Sequence, residues 1–407
     1  MVNLTNIEIK QLEKQSIQDQ WRLHYHLMPP TGWLNDPNGL CQMNGIYHIF
    51  YQYSPDNCFG GKKYWGHYTT KDFITYENCP IPLFPDNEYD RDGVYSGSAF
   101  VKDGKMYAYY TGNVKHQGDY DYIHAGRGHN TILTTSMDGI HFGEKQCLLE
   151  NKDYPKDLTC HVRDPQVIEK DGRYYMILGA RQSHDVGCCL LYKSHDLYNW
   201  EFVNRIQSDE PFGYMWECPN LVELDHHMIM LCCPQGVEQE GYKYENLYQN
   251  GYYIITGDIE SDYKLSQFME LDYGFDFYAP QLFKDENNRT IMIGWMGLPD
   301  VPYQNPTTNN QWQHALTLPR ELTFKNGVVY QYPIEETKNL RLSQHELVVS
   351  NQQSIIETTC FEMNIVIDNQ DFQLSLRNDV QLIYENNILT LKLGESGYGR
   401  DERHIEV

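Results

Sequence analysis

Three acidic residues stand at comparable distances ahead of turn signals. Asp36 lies nine positions before Gly45, Asp164 eight before Gly172, and Glu217 eight before Asp225. Carboxyl groups gathered in one cleft repel one another, so at least one is expected to hold its proton near neutral pH. An attacking carboxylate beside a protonated carboxylic acid is the pairing that glycosidic cleavage needs. Taken singly, each acid has a plainer reading. An Asp before Pro-Asn-Gly commonly caps a turn, as at Asp36. Arg163-Asp164 alone reads as a surface ion pair; within a cleft, Arg163 is expected to keep Asp164 ionised. Glu217 sits between Trp216 and Cys218-Pro219, an apolar setting in which an unpaired carboxylate is costly. A metal centre could draw on His124, His129 or His161, but no HExxH or HxH spacing supports one. No cofactor and no metal are expected.

The elements that must position these acids repeat. A turn of Asn-Gly or Asp-Gly type precedes a run rich in Tyr, Ile and Met in MNGIYHIFYQ (43–52), KDGKMYAYYTG (102–112) and KDGRYYMILGA (170–180). Looser copies are LDHHMIMLCC (224–233) and NRTIMIGWMG (288–297). Such turns before alternating strands are a strong hairpin signal. The turns fall near residues 44, 103, 171, 225 and 289, which leaves room for four strands per period. Five units of this kind predict a five-bladed β-propeller; without the repeat, an unspecified sandwich or barrel would remain. Equivalent offsets on the innermost strands place Asp36, Asp164 and Glu217 at one level around one mouth of a central channel. The segment 7–19 reads as a short helix. After about residue 335 the pattern changes to alternating stretches, FEMNIVI, DFQLSLRN, VQLIYE and ILTLKLG, which read as the start of an antiparallel β-sandwich. The expected division is a catalytic domain over 1–337 and a partial sandwich over 338–407.

Composition narrows the partners. The chain of 407 residues carries a formal net charge of −24, which repels nucleic acid and anionic lipid. A small molecule is the expected partner, and an anionic one would need a local basic patch. The 11 cysteines show no zinc spacing and read as reduced thiols of a cytoplasmic protein. The polar N-terminus lacks the apolar run of a signal peptide, and no stretch is long enough to span a membrane.

At the acidic positions the sequence closely resembles glycoside hydrolase family 32, the invertase and fructanase family. WLNDPNGL (33–40) is similar to its nucleophile motif, RDP (163–165) to its transition-state stabiliser motif and ECP (217–219) to its acid/base motif. WGH (65–67), SGS (96–98), DFYAPQ (276–281), GWMG (294–297) and LPREL (318–322) follow in family order. The resemblance implies a five-bladed propeller followed by a β-sandwich, with Asp36 as nucleophile, Glu217 as acid/base and Asp164 on the fructosyl 3- and 4-hydroxyls. It implies a fructose pocket formed by Asn35, Gln52, Trp65, Tyr95, Ser96, Arg163 and Trp295, with Trp33 and Tyr278 as wall residues. For the tryptophans, core packing is the alternative. The implied reaction is a retaining hydrolysis, with the two carboxyl groups roughly 5–5.5 Å apart. The implied substrate is sucrose 6-phosphate, cleaved to glucose 6-phosphate and fructose, with plain sucrose or short fructans as alternatives. Transfructosylation and a non-catalytic sugar-binding propeller are further readings. Lys62, Lys63, Arg127, Arg181 and Lys243 are candidates for holding a phosphate. Family members continue with further strands beyond the position of Val407, so the sandwich is expected to be incomplete.

Overall fold

The computed structural model describes residues 4–16, 19–346, 358–366, 371–376 and 379–407. The described chain is nearly all β, with one α-helix, Asn6–Ser16. Thr5 caps that helix. Its hydroxyl accepts the Glu8 amide at 3.3 Å, and its own amide donates to the Glu8 carboxylate at 2.8 Å, the reciprocal arrangement of a capping box.

Six sheets follow among the described residues, antiparallel except for one short pairing in the first. The first strands of the first five are Gly32–Met43, Gly93–Lys102, Leu158–Lys170, Met215–Leu224 and Tyr278–Lys284. In four of these sheets the first hairpin turns on two residues with positive φ: Asn44-Gly45, Asp103-Gly104, Asp171-Gly172 and Asp225-His226. That is the primed turn whose twist matches the flanking strands. The fifth uses a longer loop over residues 285–289, with Asn288 at φ 62°.

Each of the five sheets packs on the next, and the apolar residues form five wedges between them. Phe50, Trp65 and Tyr110 fill the space between the first and second sheets. Tyr109, Val162 and Leu178 lie between the second and third. Ile177, Trp216 and Met230 join the third to the fourth, and Val222, Phe277 and Met292 the fourth to the fifth. Leu34, Tyr51 and Ile293 close the circuit between the fifth and the first. The short strand Trp312–Gln313, reached from the fifth sheet, pairs in parallel with Gly32 and Trp33 of the first. Each wedge depends on large side chains: Trp216 is fully buried, and truncating such a residue to alanine costs about 3–5 kcal/mol. Cys188, Cys189, Cys232 and Cys233 are buried in these wedges as small apolar residues, and all 11 cysteines are free.

The sixth sheet runs Phe372–Leu376, Val380–Glu385, Ile388–Lys392 and Glu402–Glu406 in sequential order. It accounts for three of the four expected C-terminal stretches. Residues 361–366, read as a strand from FEMNIVI, form none, and Ile367 lies outside the described residues. Among the described residues, no strand pairs with that segment. This sheet docks on the body through Arg403, whose Nε and Nη2 donate to Asn246 at 3.0 and 2.9 Å, and through His404, whose amide donates to Glu245 at 2.6 Å. Among the described residues, no helix is long and apolar enough to cross a membrane.

Candidate active site

Each of the five first strands breaks its pairing within about one residue of the same height. The register skips between Leu34 and Pro37, Val94 and Gly97, Arg163 and Gln166, Glu217 and Asn220, and Tyr278 and Gln281. A bulge sets two residues against one and re-aims their side chains. Proline ends four of these bulges, at Pro37, Pro165, Pro219 and Pro280, where a missing N–H leaves no ladder bond unmade. Gly97 ends the fifth. A Cβ there would come 1.9 Å from the Tyr109 carbonyl oxygen, so only glycine permits the approach. Asp164, Cys218 and Ala279 take left-handed φ values of 63°, 47° and 46°, a conformation that costs on the order of 1–3 kcal/mol per non-glycine residue.

The bulges sort the side chains into two tiers. Asn35, Tyr95, Arg163, Glu217 and Tyr278 hold one tier, and Asp36, Ser96, Asp164, Cys218 and Ala279 the next. Glu217 therefore stands one step further from the hairpin turns than the two aspartates, not at their level. The equal offsets mislead because the residue matching Gly172 is His226 rather than Asp225, and because a second bulge between Asn38 and Cys41 absorbs a residue after Asp36.

Asp36 is held by a closed circuit of hydrogen bonds. Asn35 Nδ2 donates to Asp36 Oδ1 and to Gln52 Oε1, each at 3.0 Å. Gln52 Nε2 donates to the Ser96 hydroxyl, which donates in turn to Asp36 Oδ2 at 2.5 Å. Trp33 Nε1 fixes Asn35 from outside at 2.9 Å. Burial pushes the Asp36 carboxyl up, while the Ser96 and Asn35 donors pull it down and Glu217 pushes it further up.

Glu217 has different partners. Arg163 donates to its Oε1 from Nε at 2.9 Å and from Nη2 at 2.7 Å, while Gln235 Nε2 and the Tyr278 hydroxyl donate to Oε2 at 2.8 and 2.6 Å. Arg163 favours the ionised form of Asp164 less than its place in the chain suggested. The guanidinium bonds Glu217, and the Asp164 carboxyl is pushed up by burial, with Glu217 and Asp36 adding to the rise against the pull of Arg163. The Asp164 carboxylate accepts the Cys218 amide at 2.9 Å. The Cys218 thiol bridges the two aspartates, 3.6 Å from Asp164 Oδ2 and 3.7 Å from Asp36 Oδ2. Burial and the surrounding carboxyl groups push that thiol well up, so it remains a donor.

The aromatic residues divide. Trp33 and Trp295 meet edge to face at 6.0 Å, with His314 against both. The Trp295 indole N–H is buried without a partner. Lys63 Nζ lies 5.2 Å above the Trp33 ring, its pKa lowered to about 7 by burial against the pull of Asp36. Trp65 departs from the expected pocket wall. It has no exposure, belongs to the wedge with Phe50 and Tyr110, and donates to the Tyr95 carbonyl at 3.0 Å. It backs the wall rather than facing the cleft, because its strand turns that side chain between sheets. Gln235 and His314 join the site without having been expected; neither lies in a motif block.

Below the second tier the channel closes. In three of the five strands the residue after the bulge reaches sideways. Gln281 Nε2 donates to the Gly97 carbonyl at 2.6 Å, Asn220 Nδ2 to the Pro280 carbonyl at 3.1 Å and Gln166 Nε2 to the Leu221 carbonyl at 3.2 Å. The gap left among these residues is about 10 Å³, room for about one water. A cavity of about 700 Å³ lies on the far side of this floor near the hairpin turns and is lined by none of the three acids. Among the described residues, no group of three or more His, Cys, Asp or Glu side chains is arranged to hold a metal ion.

The chain matches the model of the glycosyl hydrolases family 32 N-terminal domain over residues 26–333. A sucrose-6-phosphate hydrolase of Bacillus subtilis (strain 168) is 38% identical over 350 residues, 84% of this chain and 71% of its own length. One of Staphylococcus xylosus is 40% identical over 338 residues, 83% of this chain and 67% of its own length. Among solved structures, the sucrose-6-phosphate hydrolase from Lactobacillus gasseri superimposes with a TM-score of 0.85 at 28% identity, over 99% of this chain and 85% of that one. A Bombyx mori GH32 beta-fructofuranosidase in complex with sucrose gives 0.79 at 29% identity, over 98% and 84%.

Proposed function

The chain belongs to glycosyl hydrolase family 32, and on that footing we propose that it is a retaining β-fructofuranosidase that hydrolyses sucrose 6-phosphate to glucose 6-phosphate and fructose. The five sheets are the blades of a β-propeller over residues 1–337, and residues 338–407 begin a β-sandwich. Free thiols and a phosphorylated substrate fit a cytoplasmic enzyme.

The observation that carries the reading is the unequal holding of two neighbouring acids. Both oxygens of Asp36 are fixed by neutral donors from Asn35 and Ser96, which suits a nucleophile that must not rotate. Glu217 is held by a guanidinium, an amide and a phenol, which aims it without filling the cleft. Glu217 gives its proton to the glycosidic oxygen while Asp36 attacks C2 of the fructosyl unit, and the bond from C2 to the leaving oxygen breaks. Water then attacks C2 of the fructosyl ester, Glu217 takes its proton, and Asp36 leaves as carboxylate with configuration retained. Asp164 binds the fructosyl 3- and 4-hydroxyls. Burial, with the neighbouring Glu217 and Asp36, raises its pKa; positive charge building at C2 opposes that rise, so the ionised form is favoured when it is needed. Trp33, Tyr95 and Trp295 form the sugar wall, and the unpartnered Trp295 N–H is a donor for a fructosyl hydroxyl.

The test is release of fructose from sucrose and sucrose 6-phosphate by the native chain, Asp36→Ala and Glu217→Ala. Undiminished turnover in Asp36→Ala would overturn the mechanism. Equal or better turnover of plain sucrose by the native chain would overturn the phosphate preference.

A further inference from the structure

We propose that Arg127, at the start of the strand Arg127–Ser136, holds the phosphate of the glucosyl group. This rests on the sucrose 6-phosphate reading above.

A chain with a net charge of −24 repels a phosphate ester at long range, so capture needs a cation that its own carboxylates have not neutralised. Most of the half-buried cations are neutralised. Lys145 pairs with Asp86 and Asp90, Arg205 with Asp157, Arg289 with Asp285 and Glu336, Arg320 with Asp272 and Arg400 with Asp276. Arg163 is taken by Glu217. Arg127 stands apart. It is half-buried, its Nε is buried without a hydrogen-bond partner, and among the described residues no carboxylate lies within ion-pair distance. Its electrostatic neighbours are Arg163 and the groups of Tyr95, Tyr122 and Cys160. A partly desolvated guanidinium in the field of another guanidinium is unfavourable unless an anion completes the site.

Two imidazoles share the place. His129 has no exposure and both its ring nitrogens lack partners, while its ring lies 5.8 Å from that of Tyr95 and 5.5 Å from that of His161. Buried polar atoms without partners are rare in folded proteins and call for an explanation. Burial and the surrounding arginines push both rings down to the neutral form, which leaves the arginine as the charge and a ring N–H as an additional donor.

The position suits the leaving group. Glu217 addresses the glycosidic oxygen, and Arg163 Nη1, on the other edge of the guanidinium that grips Glu217, lies 2.5 Å from His161 Nδ1. Arg127 acts electrostatically on both His161 and Arg163. The C6 substituent of a glucosyl unit projects away from its anomeric oxygen, as this route requires. Three of the other basic candidates serve elsewhere. Lys63 stands over Trp33 in the field of Asp36, on the fructosyl side. Arg181 is paired with Asp185, and Lys243 is exposed in a turn bridged to Glu240. An arginine also offers the two parallel donors that a phosphate accepts best.

The experiment compares the full chain with Arg127→Gln and Arg127→Lys, both checked by thermal melting. The readouts are kcat/KM on sucrose 6-phosphate and on sucrose, and inhibition by glucose 6-phosphate. Arg127→Gln should lower the ratio of the two kcat/KM values by roughly 10- to 100-fold, mostly through KM. It should weaken glucose 6-phosphate inhibition by a similar factor, and lysine should recover part of both. Equal losses on the two substrates, or an unchanged ratio, overturn the assignment while leaving the substrate reading in place. A native chain that shows no preference for the phosphate ester and no inhibition by glucose 6-phosphate overturns both.

Discussion

Arg163 grips Glu217 through two nitrogens, Nε at 2.9 Å and Nη2 at 2.7 Å from the same carboxylate oxygen, although Asp164 is its neighbour in the chain. An acid held this way is positioned for proton transfer along one line. Arg163→Gln should lower kcat on sucrose 6-phosphate by about 100-fold, with part of the loss restored by Arg163→Lys. The loss should be much smaller on a fructoside with an activated leaving group, which needs no proton. Equal losses on the two substrates would contradict the positioning role.

A nucleophile leaves a covalent trace. Glu217→Ala treated with an activated fructosyl donor should form the ester in the first step and hydrolyse it slowly in the second, since the base is missing. Mass spectrometry of the digest should find one fructosyl unit on the peptide carrying Asp36. A label on any other acidic peptide would refute the assignment. Asp36→Ala itself should lose activity by about a thousandfold or more.

The Ser96 hydroxyl donates to Asp36 and pulls its carboxyl down against the effect of burial. Ser96→Ala removes that donor, so protonation of Asp36 becomes easier and the ionised nucleophile persists only at higher pH. The acidic limb of the pH profile of kcat/KM should therefore move to higher pH. An unmoved limb, or one displaced to lower pH, would count against the hydrogen-bond circuit.

Asp164 couples function to stability. Its pKa is raised from 3.8 to about 7 by burial and the neighbouring acids. Between those pH values the native chain keeps a proton that the unfolded chain has released, so stability falls as pH rises through this window and stays reduced above it. Asp164→Asn cannot ionise and escapes that cost. Its unfolding free energy should match that of the native chain near pH 4 and exceed it near pH 8 by an amount on the order of 2 kcal/mol, read as a higher melting temperature at pH 8, while activity collapses. A variant less stable than the native chain at both pH values would show that burial of Asp164 carries no such penalty.

The hairpin turns and the acids were legible in the sequence because each has a local cause. Asn44-Gly45, Asp103-Gly104 and Asp171-Gly172 hold two positive φ values, which few other residue pairs tolerate. The bulges were not legible. A proline inside a strand argues against the strand as readily as for a bulge, and nothing local says which residue is skipped. The tier of Glu217 and the partner of Arg163 both depend on that count. Trp65 lies in a motif block yet belongs to a wedge between sheets, since a tryptophan reads alike in a core and in a pocket wall. Arg400 donates to Asp276 at 2.7 Å from 124 positions away, a contact that only the assembled fold creates. Residues 361–366 of FEMNIVI form no strand and pair with none among the described residues; alternation marks a strand only where a neighbour supplies the other half of the ladder.

The floor of the site has a bearing on how such an enzyme can diversify. Asp36, Asp164 and the residues around Glu217 leave the backbone at bulges of separate strands, and side-chain amides tie neighbouring strands together just beneath. An insertion or register slip at any one bulge would displace an acid and the amide linkage below it together. Inherited change is then filtered towards the long loops and strand starts at the rim, such as the one carrying Arg127. Lineages built on this frame would be expected to trade leaving groups freely while the fructosyl end of the reaction stays almost frozen.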